Sequence, residues 1–333
     1  MPAEFTLIPG YLAAVAGGLA LLIWSADRFV EGAAAMARLL GMPIMIIGIT
    51  IVGFGTSAPE IVVSIVAVLE NTPDIAIGNA LGSNIANIGL ILGVTAILAP
   101  IPIANHLFRI EYPLLLLATA LMAWSLYDLR LDLVDGVVLF GLLLLSLTYM
   151  IREHRRHPAD YAREEQISEQ MVHEMQMPAA LGWLALGLLL LVGGSELLVW
   201  GASGIATSFG VSQLVIGLTI VALGTSLPEL AASIAGLKKG SPDLAVGNVI
   251  GSNLFNSLAV IGLPALLTGF SIDPSARSRD MVVVAGMTLL LLLMSRFPGM
   301  LPRMLTRGKG ALLLLGFVVY QLYLYYHSAV ALQ

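Results

Sequence analysis

Two stretches of this chain are copies of one another. Residues 48–93 open with GITIVGFGTSAPEIVVSIV and run through GNALGSNIAN, and residues 217–262 open with GLTIVALGTSLPELAASIA and run through GNVIGSNLFN. The copies align at a constant offset of 169 without a gap, and 21 of the 46 positions are identical. Each places one glutamate, Glu60 or Glu229, inside a long apolar run. A carboxylate at bilayer depth costs roughly 2.5–3.5 kcal/mol on insertion scales. Such a cost at equivalent places in both copies points to one shared ion site built by an internal repeat. The offset reaches back to Asp27 and Glu196, so the apolar span before each copy belongs to the repeat as well.

The surrounding sequence sets the class. The chain is 58% hydrophobic and 11% charged, against about 25% charged for an average soluble domain. This is the composition of an all-α polytopic membrane protein. There is no cysteine, which excludes disulfide frameworks and thiolate metal sites. The opening MPAEFTLIPG has no basic stretch ahead of an apolar one, so no cleaved signal peptide is expected.

Apolar spans near the roughly 20 residues a bilayer requires fall near 8–26, 43–69, 75–99, 111–127, 133–151, 179–200, 212–237, 244–269, 280–295 and 311–329. With the N-terminus outside, thirteen of the sixteen Lys and Arg residues fall in cytoplasmic loops. Only Arg130, Arg277 and Arg279 lie outside. This positive-inside bias favours a multi-pass protein of the cell inner (plasma) membrane with both termini outside. Five spans separate the two copies, so they enter the membrane from opposite sides. The expected fold is therefore ten transmembrane helices as two inverted five-helix repeats, a recurrent plan of secondary transporters. The first repeat would cover residues 1–151 and the second 179–333. Residues 152–178, the one long polar segment, form a cytoplasmic linker too short for a folded domain. Ile167, Met171 and Met175 recur in it at four-residue spacing, which suggests a short amphipathic helix.

Within GTSAPE, Pro59 lacks an N–H and clashes with the carbonyl four residues earlier, that of Gly55; Pro228 does the same to Gly224. Thr56 and Ser57, like Thr225 and Ser226, supply hydroxyls at the level of the break. Broken membrane helices are tolerated where the freed groups line a cavity or bind ions. In the second element Asn79, Ser83 and Asn87 form a polar stripe on one helix face, repeated as Asn248, Ser252 and Asn256. Asn79 and Asn248 read equally well as interhelical glue. Gly78 with Gly82, and Gly247 with Gly251, form small-residue surfaces for close helix approach. The second and third spans of the chain are expected to pack tightly, with Glu60 facing Ser83 and Asn87. Carboxylate, hydroxyl, amide and carbonyl oxygens suit Ca²⁺ or Na⁺ rather than Zn²⁺ or Cu²⁺. Asp27, Glu31 and Glu196 read as interfacial charges near span ends, and Asp74 and Asp243 as helix N-caps.

The paired GTS-x-PE and GN-xx-GSN-xx-N motifs resemble the two repeats of the sodium/calcium exchanger family, in its prokaryotic branch of short-loop members. The resemblance covers nearly the whole chain. It implies Na⁺-driven Ca²⁺ antiport by alternating access, with no enzymatic activity and no bound cofactor beyond the transported ions. It implies as ion ligands Glu60, Thr56, Ser57, Ser83 and Asn87, with Glu229, Thr225, Ser226 and Ser252, and backbone carbonyls near Gly53 and Ala222. Asn256 stands where well-studied members carry an aspartate, so this site would hold two acids, not three. The expected partners are Ca²⁺, Na⁺ and the lipid bilayer, with no nucleic acid and no obligate protein. A potassium-dependent or proton-coupled antiporter is the alternative. An intramembrane enzyme using Glu60 and Glu229 is disfavoured, because no histidine lies within either motif.

Overall fold

The computed structural model describes residues 7–42, 44–157, 175–209, 222–296 and 304–330. In chain order its helices are α1 (Ile8–Leu40), α2 (44–56), α3 (Ala58–Leu69), α4 (Pro73–Leu98), α5 (Glu111–Ser125), α6 (Leu133–Arg156), α7 (Met177–Ser208), α8 (Ala222–Thr225), α9 (Leu227–Lys238), α10 (Pro242–Leu267), α11 (Met281–Arg296) and α12 (Arg307–Val330). Among the described residues seven helical stretches are long and apolar enough to cross a membrane, or eight if the bent α2–α3 pair is one span. Helix α5 has only 15 residues. The apolar run 212–221 ahead of α8 lies outside the described residues, as do Ile167 and Met171 of the linker.

Two helices are much longer than their apolar spans suggested. The first was expected to end near residue 26, with Asp27 and Glu31 at the interface. Instead α1 continues to Leu40 and ends at Gly41, whose left-handed backbone (φ 59°) breaks the helix. The charges do not stop it because Arg28 pairs with Glu31 one turn away, at 2.6 Å. Helix α7 likewise runs on to Ser208, carrying Glu196 mid-helix. The acids at the starts of α4 and α10 are also not caps. Thr72 and Ser241 hold the cap positions, while Asp74 and Asp243 lie in the first turn, where the helix dipole favours them. Asp74 Oδ1 accepts the backbone N–H of Asp273 at 2.9 Å.

Helices α4 and α10 form the centre. Their apolar windows are 72% and 89% buried, against 22% for α1, α7 and α12. The outer helices keep leucine-rich faces exposed, such as Leu145, Leu189 and Leu322, as a lipid-facing surface requires. The outer pair α1 and α7 cross through glycines. A methyl added at Gly18 would stand 2.7 Å from the Leu198 backbone nitrogen, and one at Gly187 would stand 2.7 Å from that of Phe29. Gly18 and Gly187 are themselves 169 apart, as are Phe29 and Leu198.

Two short antiparallel pairs stitch the halves together. Ile101–Pro102, after α4, pairs with Met304–Leu305, before α12. Phe270–Ser271, after α10, pairs with Arg130–Leu131, before α6. Residues 101–102 and 270–271 again differ by 169. Each half therefore lends the same element to the other.

Candidate ion site

The site grows from the interruption between α2 and α3. The two helices bend by 41° at Ser57, ahead of Pro59. A π-helical turn, Gly48–Val52, precedes the bend, and such turns recur at functional sites. In the second half Ser226 occupies the same non-helical position ahead of Pro228. Both glutamates thus fall in the first turn of the helix after the break, where helix dipoles favour negative charge. Both are 1% exposed.

Each break is pinned by an asparagine from the neighbouring helix, with the same bonds in each half. Asn79 Nδ2 donates to the Glu60 carbonyl at 3.0 Å and to Ser64 Oγ at 3.1 Å. Asn248 Nδ2 donates to the Glu229 carbonyl at 3.1 Å and to Ser233 Oγ at 3.1 Å. These two asparagines hold the backbone that carries each acid, which bears out the glue reading for their amide nitrogens. Asn248 does more, since its Oδ1 lies 3.3 Å from the Thr56 hydroxyl.

The halves meet face to face here. Thr56 Oγ1 lies 3.1 Å from the Val52 carbonyl and 3.5 Å from Ser252 Oγ. Ser57 Oγ lies 3.5 Å from Glu229 Oε1. Asn87 Nδ2 donates to Asn253 Oδ1 at 3.0 Å, and Ser257 Oγ donates to Asn84 Oδ1 at 3.4 Å. Asn87 opens a second π-helical turn, Asn87–Leu92, whereas α10 stays α-helical through its equivalent Asn256. The Gly53 carbonyl accepts the Ser57 N–H at 3.1 Å, and Thr225 is half-buried at the end of α8. Ala222 begins α8, and its side chain is outside the described set.

Close contact is possible because the facing surfaces lack side chains. A methyl at Gly53 would stand 3.1 Å from Gly251 Cα, and one at Gly251 would collide with the Ile49 carbonyl oxygen. The Gly247/Gly251 surface therefore receives α2 of the first half, not the helix beside it in sequence as the spacing suggested. Among the described residues a methyl at Gly78 or Gly82 meets nothing. The counterparts by the same offset of Met45 and Ile49, which meet Gly247 and Gly251, fall at 214 and 218 and lie outside the described residues.

Eight buried side-chain polar atoms in this cluster have no hydrogen-bond partner among the described residues. They are both oxygens of Glu60, Oε2 of Glu229, Asn87 Oδ1, Ser226 Oγ, Asn253 Nδ2, and both polar atoms of Asn256. Ser83 and Ser252 are buried alongside. Buried polar atoms without partners are rare in folded proteins and call for an explanation such as an unrecorded ion. Here most of them are oxygens. Among the described residues no three His, Cys, Asp or Glu side chains converge, so the donor set is two carboxylates among hydroxyls and amides.

Asn84, Asn253 and Ser257 were not foreseen as site residues. The signal for the first two was present, since GSN recurs unchanged at residues 82–84 and 251–253. Their place one residue off the four-residue stripe hid them.

The family model for sodium/calcium exchanger proteins matches residues 10–152 and 179–326, leaving out only the ends and the linker. The chain belongs to the sodium/calcium exchanger family. It is 48% identical to the putative antiporter CaxA of Alkalimonas amylolytica, over 92% of this chain and 96% of that protein. It is 41% identical to the inner membrane protein YrbG of Escherichia coli, over 95% and 97%. Among solved structures it matches the sodium-calcium exchanger NCX_Mj, soaked with Na⁺ and Sr²⁺, with a TM-score of 0.79 and 32% identity. That match covers 94% of this chain and 98% of the other. The relationship to this exchanger family thus extends over both halves, and its matched structures are transporters rather than enzymes.

Proposed function

We propose that the chain is a secondary antiporter that exchanges Ca²⁺ for Na⁺ by alternating access, with both ions using the cluster around Glu60 and Glu229 in turn. The observation that carries this reading is the set of carboxylate oxygens buried without partners among the described residues. Two acids held in low dielectric require compensation, and no basic side chain pairs with either among the described residues. A cation supplies it. Ca²⁺ takes six to eight oxygens. The carboxylates of Glu60 and Glu229, the hydroxyls of Thr56, Ser57, Ser83, Thr225, Ser226 and Ser252, the amides of Asn87 and Asn256, and the Gly53 and Ala222 carbonyls form a hard-oxygen pool large enough for that. Na⁺ accepts the same donor type, so occupancy by one ion competes with the other. That competition is what couples an antiporter. The family's sodium/calcium exchange accords with it.

The architecture supporting this reading is ten membrane spans in two inverted halves. The asparagine pins at Glu60 and Glu229 obey the offset of 169, as do strands 101–102 and 270–271, each of which pairs with a strand of the other half, as a pseudo-twofold axis would require. Inverted repeats let near-symmetric rearrangements open one central site to either side. In this reading α2 with α3 is one broken span, α8 and α9 stand on either side of the equivalent break in the second half, and α5 is a short span. The bias of basic residues toward alternate loops supports both termini outside, and the likeness to an inner membrane protein accords with residence in the inner membrane.

The test is uptake of radioactive Ca²⁺ into proteoliposomes with an outward Na⁺ gradient. Uptake that collapses when internal Na⁺ is replaced by choline supports the reading. Uptake indifferent to internal Na⁺ but driven by internal K⁺ or acid would assign another coupling ion. No Ca²⁺ uptake under any gradient would overturn the proposal.

A further inference from the structure

We propose that Ser195 is a positioning residue for the second half of the ion site, an inference that rests on the reading of that site given above. Ser195 lies on α7, outside both repeated motifs, and is 4% exposed. Its hydroxyl donates to the Gly224 carbonyl at 2.6 Å. That carbonyl is the one Pro228 strands, because a proline nitrogen cannot complete the bond to the residue four positions back. A buried serine on a neighbouring helix therefore completes the hydrogen bonding of the break. Thr225 and Ser226, two of the proposed ion ligands, follow Gly224 directly. Fixing the Gly224 carbonyl fixes the plane from which both hydroxyls project.

Among the described residues the first half has no such tether. The residue equivalent to Ser195 is Ala26, which has no hydroxyl to offer Gly55. The adjacent Ser25 is just as buried, but it bonds its own helix, at 2.6 Å to the Leu21 carbonyl. The packing around the breaks differs to match. A methyl at Gly224 would collide with Val199 of α7, while one at Gly55 would meet Leu188 of α7 at 3.1 Å and Phe29 of α1 at 3.7 Å. Among the described residues helix α7 thus touches both breaks but hydrogen-bonds only the second. The symmetric site is held asymmetrically, and Ser195 is the residue that makes it so.

Loss of one buried hydrogen bond corresponds to roughly a two- to tenfold change in an equilibrium. The experiment compares Ser195→Ala with Ser25→Ala in the full chain, reconstituted and normalised to folded protein. Ser195→Ala is expected to raise the half-saturating Ca²⁺ concentration roughly two- to tenfold with maximal rate nearly unchanged. Ser25→Ala, an equal truncation whose bond stays within α1, is expected to leave half-saturation unchanged. A purely structural role would lower the yield of folded protein without moving half-saturation. Wild-type half-saturation in Ser195→Ala, or an equal shift in Ser25→Ala, overturns the inference. If the alanine variant does not fold, Ser195→Thr decides, since it keeps the hydroxyl: near wild-type half-saturation supports the tether and a shifted value overturns it. Glu229→Gln separates this from the underlying reading, because exchange surviving that change removes the ion site itself.

Discussion

The Ser57 hydroxyl lies 3.5 Å from Glu229 Oε1, although the two residues are 172 positions apart in sequence. The reciprocal contact is missing. Ser226 Oγ and both oxygens of Glu60 have no partner among the described residues. A 3.5 Å hydroxyl contact is too long to hold a buried carboxylate by itself. One acid is therefore weakly held across the interface between the halves and the other is open, as expected of groups whose full complement includes a transported cation.

Glu60→Gln and Glu229→Gln keep the shape of the side chain and remove the charge that offsets dehydration of the ion. Removing one member of a buried charge pair costs about 2–5 kcal/mol, so Ca²⁺ affinity should fall by roughly thirtyfold or more. Sodium-driven uptake should be lost in both variants, while size-exclusion profiles stay those of the wild type. Near-normal uptake by either would remove that glutamate from the site.

Asn248 and Asn79 make equivalent bonds, but Asn248 is fully buried and Asn79 is only half-buried. An alanine at 248 leaves the Glu229 carbonyl and Ser233 without that donor, at about 1–3 kcal/mol for a buried group. At 79 water can take over part of the role. Thermal unfolding in detergent should show Asn248→Ala less stable than Asn79→Ala. Equal midpoints would mean that the two pins do not differ in solvent access.

The close contact of the halves at Gly251 gives a packing test. A methyl there meets the Ile49 backbone, which cannot swing aside as a side chain can. Overpacking of this kind costs about 1–3 kcal/mol. Gly251→Ala should therefore lower the unfolding midpoint and reduce exchange. Gly141→Ala should do neither, since a methyl on that part of α6 meets no atom among the described residues.

Much of this site was legible in the sequence because its parts are local and repeated. GTSAPE and GTSLPE declare a break, hydroxyls and an acid within six residues, and proline chemistry forces the break wherever the motif sits. The lengths of α1 and α7 were less legible. Asp27, Arg28 and Glu31 look like the edge of a membrane span in hydropathy, but an ion pair one turn apart is compatible with continuing the helix. The partner of Gly251 was also hidden. Spacing shows that a face is small, not which helix lies on it, and here the partner comes from the other half of the chain. Ser195 carried no signal, since it lies outside both repeated motifs and its equivalent, Ala26, has no hydroxyl.

Charge counting sets the last expectation. Asn87 and Asn256 are both neutral, and both polar atoms of the Asn256 amide are buried without partners among the described residues. The two carboxylates balance one Ca²⁺ or two Na⁺, whereas a third Na⁺ would leave the loaded site at +1 in low dielectric. Exchange of three Na⁺ for one Ca²⁺ moves one net charge, worth about 2.3 kcal/mol per 100 mV, while two for one moves none. Asn256→Asp would add the missing acid without changing side-chain volume much, so it should strengthen cation binding and increase the response to voltage. The measurement is Ca²⁺ uptake and exchange current at potentials clamped with K⁺ and valinomycin, wild type beside Asn256→Asp. A steeper voltage dependence and a lower half-saturating Na⁺ concentration in the variant are the expected results. Identical affinity and identical voltage dependence would show that the charge at residue 256 does not set how many cations the site holds.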